Sequence, residues 1–201
     1  MILKRLLAIK GFHYLATRLG WRGLRSAAFD EKYKSGDWNF EADAPGELPV
    51  VIKRYLQNGN LLIMGCGSAS IISSIPESDF TKILGIDLSS EAIRLASRYS
   101  SEKVSFQIAD FEDFSTIDVY DIILFSESLN YVPLARQKTF LIQLAKYLKN
   151  DGVFVVTFAQ TARYADILNN IRKWFSVIED RNFLNSSRHL IVFTTYKDDK
   201  K

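Results

Sequence analysis

Gly65, Gly67, Asp87, Asp110 and Glu127 are the residues whose types and spacing could do chemistry together. Each closes or follows a short apolar run: "NLLIMGCG", "KILGID", "VSFQIAD" and "DIILFSE". Glycine tolerates positive φ, so a loop built on two of them can bring backbone close to a ligand. The amides opening a helix after such a loop would face the same place. Asp87 lies 20 residues after Gly67, the separation at which an acid meets the hydroxyls of a bound nucleoside. A carboxylate has the lone pairs to accept both hydrogens of a cis-diol. The competing reading of Asp87 is a turn or helix-capping acid. Glu127, in "SESLNYV", could take a proton from an attacking hydroxyl or orient an amine, with Tyr131 on the same loop. The competing reading is that Glu127 holds its own loop together and Tyr131 packs.

Elements that would position these residues alternate along the chain. Strands are expected at "LLIM", "KILGID", "VSFQIA", "DIILFS", "VFVVTFA" and "HLIVFTTYK", with "FSVIED" a further candidate. Helices are expected over "GELPVVIKRYLQNGN" up to Asn58-Gly59 and over 67–75 before Pro76. Others follow over "SSEAIRLASRYS" with Ser89 or Ser90 as N-cap, over "PLARQKTFLIQLAKYLKN" up to Asn150-Asp151-Gly152, and over "ARYADILNNIRKWF". The segment "AFDEKYKSGDWNF", 28–40, reads as loop and short helix. Alternation implies parallel strands with helices on both faces. Only "RNFLNSSR" separates the last two strand candidates, too little for a helical crossover, so they should pair antiparallel or stand apart in the sheet.

The chain has 201 residues, 47% of them hydrophobic and 24% charged, which suits one well-buried core with an appendage. A single cysteine, Cys66, excludes a disulfide framework, and no Cys/His spacing suggests a metal, so the expected location is cytoplasmic. A formal charge of +3 gives no argument for nucleic acid. Residues 1–25 nevertheless carry Lys4, Arg5, Lys10, Arg18, Arg22 and Arg25 without an acid, interleaved with leucines at helical spacing. This reads either as a peripheral helix on the inner, anionic membrane face or on an acidic substrate, or as a surface helix packed on the domain. His13 and His189 are the only histidines, and neither falls at a strand end facing the site.

Glycine motif, Asp and Asp at three consecutive strand ends make the chain resemble the class I S-adenosylmethionine-dependent methyltransferases over roughly residues 45–196. The matching segments are "MGCGSAS", "GIDLSSEAI", "ADFEDF", "YDIILFSESLNYV" and the closing strand. The resemblance implies a Rossmann-like, doubly wound α/β fold, with a mostly parallel seven-stranded sheet and an antiparallel C-terminal strand. It implies S-adenosylmethionine as cofactor, with Gly65, Cys66, Gly67, Leu88 and Ser126 along it. Asp87 would hold the ribose and Asp110 the adenine amino group, with Phe111 beside the adenine ring. "FDEKYKSGDWNF" is similar to the lid segment of small-molecule members, whose Tyr and Trp, here Tyr33 and Trp38, cover the methionine end. The division implied is 1–42 as basic helix and lid, and 43–201 as the methyltransferase domain.

Two positions depart from the pattern. Ile63 stands where the family has an acid two residues before the first glycine, and Ala69 replaces its third glycine. Loss of the acid motivates an alternative reading, a methyltransferase-like binding or assembly protein with weakened turnover. A nicotinamide-dependent oxidoreductase is the other alternative, but the dinucleotide fingerprint fails at Ser70. "SESL" is not the Asn/Asp-Pro-Pro-aromatic loop of enzymes that methylate base amines, and Cys66 lies in the cofactor loop, away from any role as a cytosine nucleophile. "SESLNYV" and "YKSGDW" look most like methyltransferases encoded with polysaccharide and glycolipid genes, including nodulation-factor N-methyltransferases. The expected acceptor is therefore a small molecule or glycan, methylated on oxygen or nitrogen, with Glu127 and Tyr131 as catalytic residues.

Overall fold

The structure, a computed structural model, describes residues 22–36, 38, 46–159, 161–184 and 186–195. Most of the basic segment and residues 39–42 of the expected lid lie outside the described residues. Seven strands form one sheet: β1 (Asn60–Met64), β2 (Lys82–Asp87), β3 (Val104–Ile108), β4 (Tyr120–Ser126), β5 (Leu148–Phe158), β6 (Ser176–Asn182) and β7 (His189–Thr194). Among the described residues the α-helices are α1 (Arg22–Lys34), α2 (Glu47–Leu56), α3 (Ser90–Ala96), α4 (Leu134–Leu144) and α5 (Ala165–Trp174).

Strand order is β3-β2-β1-β4-β5-β7-β6. The first five strands run parallel, and β7 pairs antiparallel with both β5 and β6. The chain steps outward from β1 to β3, then returns to place β4 on the other side of β1. That reversal opens a crevice at the carboxyl ends of β1 and β4, where ligands of open α/β sheets bind. Because β7 runs backwards, its first residue reaches the same edge: Phe158 at the end of β5 pairs with His189.

Period-two alternation decides which side chains form each half of the core. Leu61, Ile63, Ile83, Ile122, Leu124, Val153 and Val155 face α2 and its Leu48, Val51, Ile52 and Leu56. Leu62, Met64, Ile86, Ile123, Phe125, Phe154 and Val156 face the apolar stripes of α4 and α5, including Phe140, Leu141, Leu144, Ile167, Leu168 and Ile171. The central strands are thus buried on both faces, as parallel strands require. Among the described residues no helix is long and apolar enough to cross a membrane.

Three local expectations are corrected. No α-helix spans 67–75; Ala69 is left-handed (φ 55°) and only a 3₁₀ segment, Ser70–Ser74, follows. Two β-branched isoleucines, a Ser73 hydroxyl bonded back to the Ser70 carbonyl (2.8 Å) and Pro76 leave too short a run to nucleate a helix. The turn expected at Asn150-Asp151-Gly152 lies inside β5, where the pairing with β4 shifts between Tyr120 and Ile122. Residues 28–34, read as loop and short helix, belong to the 13-residue α1. Lys32 and Lys34 in its last turn suit the negative end of its dipole. The helix α2 stops at Leu56, with left-handed Gln57 and Asn58 preceding Gly59.

Helix α1 is fastened to the β2 end of the crevice. Ser26 Oγ donates to the Leu88 carbonyl (3.2 Å). Asp30 accepts from Ser89 Oγ (2.6 Å), Ser90 Oγ (3.1 Å) and the Glu91 amide (3.1 Å), adding an acid from outside to the N-terminus of α3. Ser89 itself caps α3 by accepting from Ala92 N–H at 3.1 Å. Replacing Asp30 with Ala should therefore lower unfolding free energy by about 1–2 kcal/mol, the usual loss for a removed cap. Urea melts check the size, and faster proteolysis within 22–34 would locate the loosening at α1.

Candidate active site

The crevice holds a cavity of about 510 Å³, within the range of small-ligand sites. Its floor is the loop leaving β1. Gly65 (φ 72°) and Gly67 (φ 54°) are both left-handed, and the Gly65 and Cys66 amides donate to the Ile86 carbonyl at 2.9 Å. The loop therefore doubles back over the end of β2. A Cβ on Gly65 would lie 2.7 Å from Ser128 Cβ, and one on Gly67 would lie 2.7 Å from the Tyr33 hydroxyl. Ser128 Oγ donates to the Met64 carbonyl at 2.5 Å, which locks the β1 and β4 loops together.

Asp87 is buried under this loop. One carboxylate oxygen accepts from the Gly67 amide and the other from the Ser89 amide, both at 2.9 Å. Burial raises its pKa to about 6, and nearby Asp30 adds to the rise while the two amide bonds oppose it. With about four acceptor sites, the carboxylate keeps capacity for a further donor. Leu88 follows it into the cavity wall. Asp110, also buried, pairs with Arg25 of α1 and accepts the Glu112 amide at 3.3 Å. Phe111 stands edge-on to Phe125 (5.9 Å between centroids) and stacks on Phe140 (6.0 Å).

Aromatic rings close the side opposite the floor. Trp38 packs against Phe29 (5.5 Å), Tyr33 (5.5 Å) and Tyr131 (6.4 Å), and Phe29 meets Tyr131 edge-on at 5.1 Å. The Tyr33 phenol is raised far above its ordinary pKa by burial and by Asp87, so it stays a neutral hydroxyl. The Cys66 thiol is likewise pushed well up by burial and by Asp87, which makes it a poor nucleophile.

Glu127 turns out of β4 in a left-handed conformation (φ 58°), sparsely populated for a non-glycine residue. Its Oε2 accepts the Ala159 amide at 2.7 Å, and its Oε1 lies 3.4 Å from Arg188 Nε. Ser126 Oγ and Thr157 Oγ1 meet at 3.3 Å across the same two strands. All twelve residues singled out in the sequence thus line one cavity: Tyr33, Trp38, Gly65, Cys66, Gly67, Asp87, Leu88, Asp110, Phe111, Ser126, Glu127 and Tyr131. Among the described residues no group of His, Cys, Asp and Glu could hold a metal ion.

Sequence reasoning missed the site roles of Arg25, Phe29, Arg163 and Arg188, which also line the cavity. Arg188 had a usable signal, because a residue preceding an antiparallel closing strand arrives at the ligand edge. Arg25 was visible only as one of six cations. His189 is absorbed by structure: its ring nitrogens meet Asp180 (2.7 Å) and Asn182 (2.8 Å).

The sequence matches the family described as "Methyltransferase domain" over residues 57–197. The fold is shared with the N-methyltransferase NodS from Bradyrhizobium japonicum WM9, crystallised with S-adenosyl-L-homocysteine. The TM-score is 0.68 at 19% identity, covering 86% of this chain and 98% of that one. A TehB-like S-adenosylmethionine-dependent methyltransferase from Corynebacterium glutamicum gives 0.66 at 19% identity, covering 85% and 100%. A curated relative is the protein-lysine N-methyltransferase EFM4 of Saccharomyces cerevisiae, 26% identical over 62% of this chain. Another is the uncharacterized protein MJ1252 of Methanocaldococcus jannaschii, 26% identical over 61% of this chain. The matches span 63% and 46% of those two proteins. The chain belongs to the methyltransferase domain family and shares the fold of these two solved structures.

The floor of the cavity tolerates no side chain at Gly65. Alanine there combines a left-handed backbone with a Cβ driven onto Ser128, so Gly65→Ala should lose about 2–4 kcal/mol in urea melts. Pairing it with Ser128→Gly removes the contact and should return part of that loss. An additive double variant would show that the Ser128 contact is not the cause.

Proposed function

We propose that this chain transfers the methyl group of S-adenosylmethionine to an oxygen or nitrogen of a small-molecule or glycan acceptor. The observation that carries this reading is convergence. The glycine floor, two buried strand-end carboxylates and a four-ring roof meet on one cavity of about 510 Å³.

The residues present suit that cofactor. Asp87, which keeps acceptor capacity toward the cavity, would accept the ribose hydroxyls, and Asp110 would accept the adenine amino group beside its contact with Arg25. Phe111 would lie against the adenine ring. Tyr33 and Trp38 would cover the methionine end as part of a lid within residues 1–42. Ile63, buried in the cavity wall, offers no acid to the cofactor's ammonium, and Glu127 and Asn130 are among the polar side chains on the adjoining loop.

When bound, the cofactor supplies an electrophilic methyl group on a sulfonium centre. The roof of Phe29, Tyr33, Trp38 and Tyr131 would exclude water and strengthen electrostatics beneath it. Glu127, anchored by the Ala159 amide and Arg188, would orient the N–H or O–H of the acceptor and take the proton that a hydroxyl loses. Tyr131 would press the acceptor toward the methyl group. The four-ring roof over the cavity supports a small acceptor over a folded protein surface. Relatives and structural neighbours include one named for protein-lysine methylation and one named for N-methylation, which supports nitrogen as one acceptor atom.

Calorimetry with S-adenosylhomocysteine tests the cofactor roles. Asp87→Ala should weaken binding by about tenfold or more, the worth of hydrogen bonds to a charged group. Since ribose donors favour the ionised carboxylate, wild-type affinity should decline as pH falls through about 6, and Asp87→Asn should flatten that decline. Binding of NADH without binding of S-adenosylhomocysteine would contradict the reading. Labelled methyl transfer onto sugar, amino-sugar and lysine-peptide pools then separates the acceptor classes.

A further inference from the structure

The cavity is electrically lopsided along the sheet. At the β2–β3 end it is lined by Asp87 and by Asp110 with its partner Arg25, and at the β5–β7 end by Arg163 and by Arg188 beside Glu127. The backbone of Arg188 is tied down: its amide donates to Ser186 Oγ (3.1 Å) and its carbonyl accepts the Phe183 amide (2.8 Å). Ser187 Oγ ties the same loop to the Ala159 carbonyl at the end of β5 (3.2 Å). The Arg188 side chain is only 12% exposed, so its charge points inward and not at bulk water. Its contact with Glu127, at 3.4 Å, is looser than a tight charge-assisted bond, and Glu127 already spends its other oxygen on the Ala159 amide at 2.7 Å. Arg163 joins from the segment following β5, its guanidinium 5.5 Å from the Tyr164 ring centre. A guanidinium is built for planar, two-point contact with carboxylate or phosphate oxygens.

We propose that the β5–β7 end of the cavity is an anion subsite, where Arg188 with Arg163 binds a carboxylate or phosphate carried by the acceptor next to its nucleophile. This rests on the cofactor occupying the glycine-loop end of the same cavity. Acceptor specificity then comes from a fixed pair of charges: Glu127 meets the nucleophilic N–H or O–H, and Arg188 meets the anion. An acceptor whose only charge is a cation meets two guanidiniums and is disfavoured.

The test is calorimetric titration of inorganic phosphate, and separately succinate, into the full chain at low ionic strength, with and without saturating S-adenosylhomocysteine. Either anion should bind the loaded wild type, and the one that binds tells phosphate from carboxylate. Arg188→Met should weaken that binding by about tenfold or more, since it removes charge-assisted hydrogen bonds. Arg163→Met should weaken it less, and Arg188→Lys, which keeps charge but not the fork, should fall between wild type and Arg188→Met. Arg94→Met, on α3 outside the cavity, is the control and should leave anion binding unchanged. Homocysteine-product affinity should survive in the Arg163 and Arg188 variants. Failure of both anions to bind, or equal binding by wild type and by both Arg188→Lys and Arg163→Met, overturns the subsite. If S-adenosylhomocysteine itself fails to bind, the cofactor reading falls, and the anion titration of unloaded protein still decides the subsite.

Discussion

The buried carboxylate of Asp87 is the constraint on which the site depends. It reaches one amide of the glycine loop and one at the entry to α3, so it joins the ends of β1 and β2. Burying a charge there is unfavourable. Raising a carboxyl from 3.8 to about 6 corresponds to roughly 3 kcal/mol against the ionised form. The folded chain then binds more protons than the unfolded chain between those values, so this group makes stability fall as pH rises across that window. The fold tolerates it because the same carboxylate sets the loop and faces the cavity. A group held at a cost beside a cleft is a mark of function more than of packing.

Around that point the molecule builds two sides of different character. Toward β2 and β3, α1 is laid across the crevice by Ser26 and Asp30, and its Arg25 meets Asp110. Its Phe29 and Tyr33 then face Trp38 and, with Tyr131, make the roof. Toward β5 and β7, the backward run of β7 brings Arg188 to an edge that a wholly parallel sheet would have supplied from strand ends alone. The antiparallel closing strand thus has a chemical consequence: it furnishes a cation opposite the acids. Glu127 sits between the two sides, strained in backbone, with one oxygen held by the Ala159 amide and the other in a looser ion pair with Arg188, where strain is expected only if the surroundings fix it.

Sequence carried the frame well because its signals are periodic or punctual. Apolar runs bounded by glycine and acid located β1, β2 and β4, and the short "RNFLNSSR" connection left β6 and β7 either antiparallel or apart in the sheet, of which the chain takes the first. Asp87, Asp110 and Glu127 were legible because strand ends in such a sheet share one edge. The helix after the glycines was not, since Ala69 adopts a left-handed conformation and the serines that follow bond locally. Arg25 and Arg188 were obscure for another reason. A long cation looks the same in a solvated face and in a cavity wall, and only tertiary placement separates them.

Titration of the Asp87 carboxyl carbon by NMR, with and without S-adenosylhomocysteine, reads out whether this buried group faces the ligand. The apoprotein should show a pKa near 6, and the complex a lower one, because ribose donors stabilise the ionised form. A carboxyl that titrates in the ordinary aspartate range and is unmoved by the ligand would contradict the account.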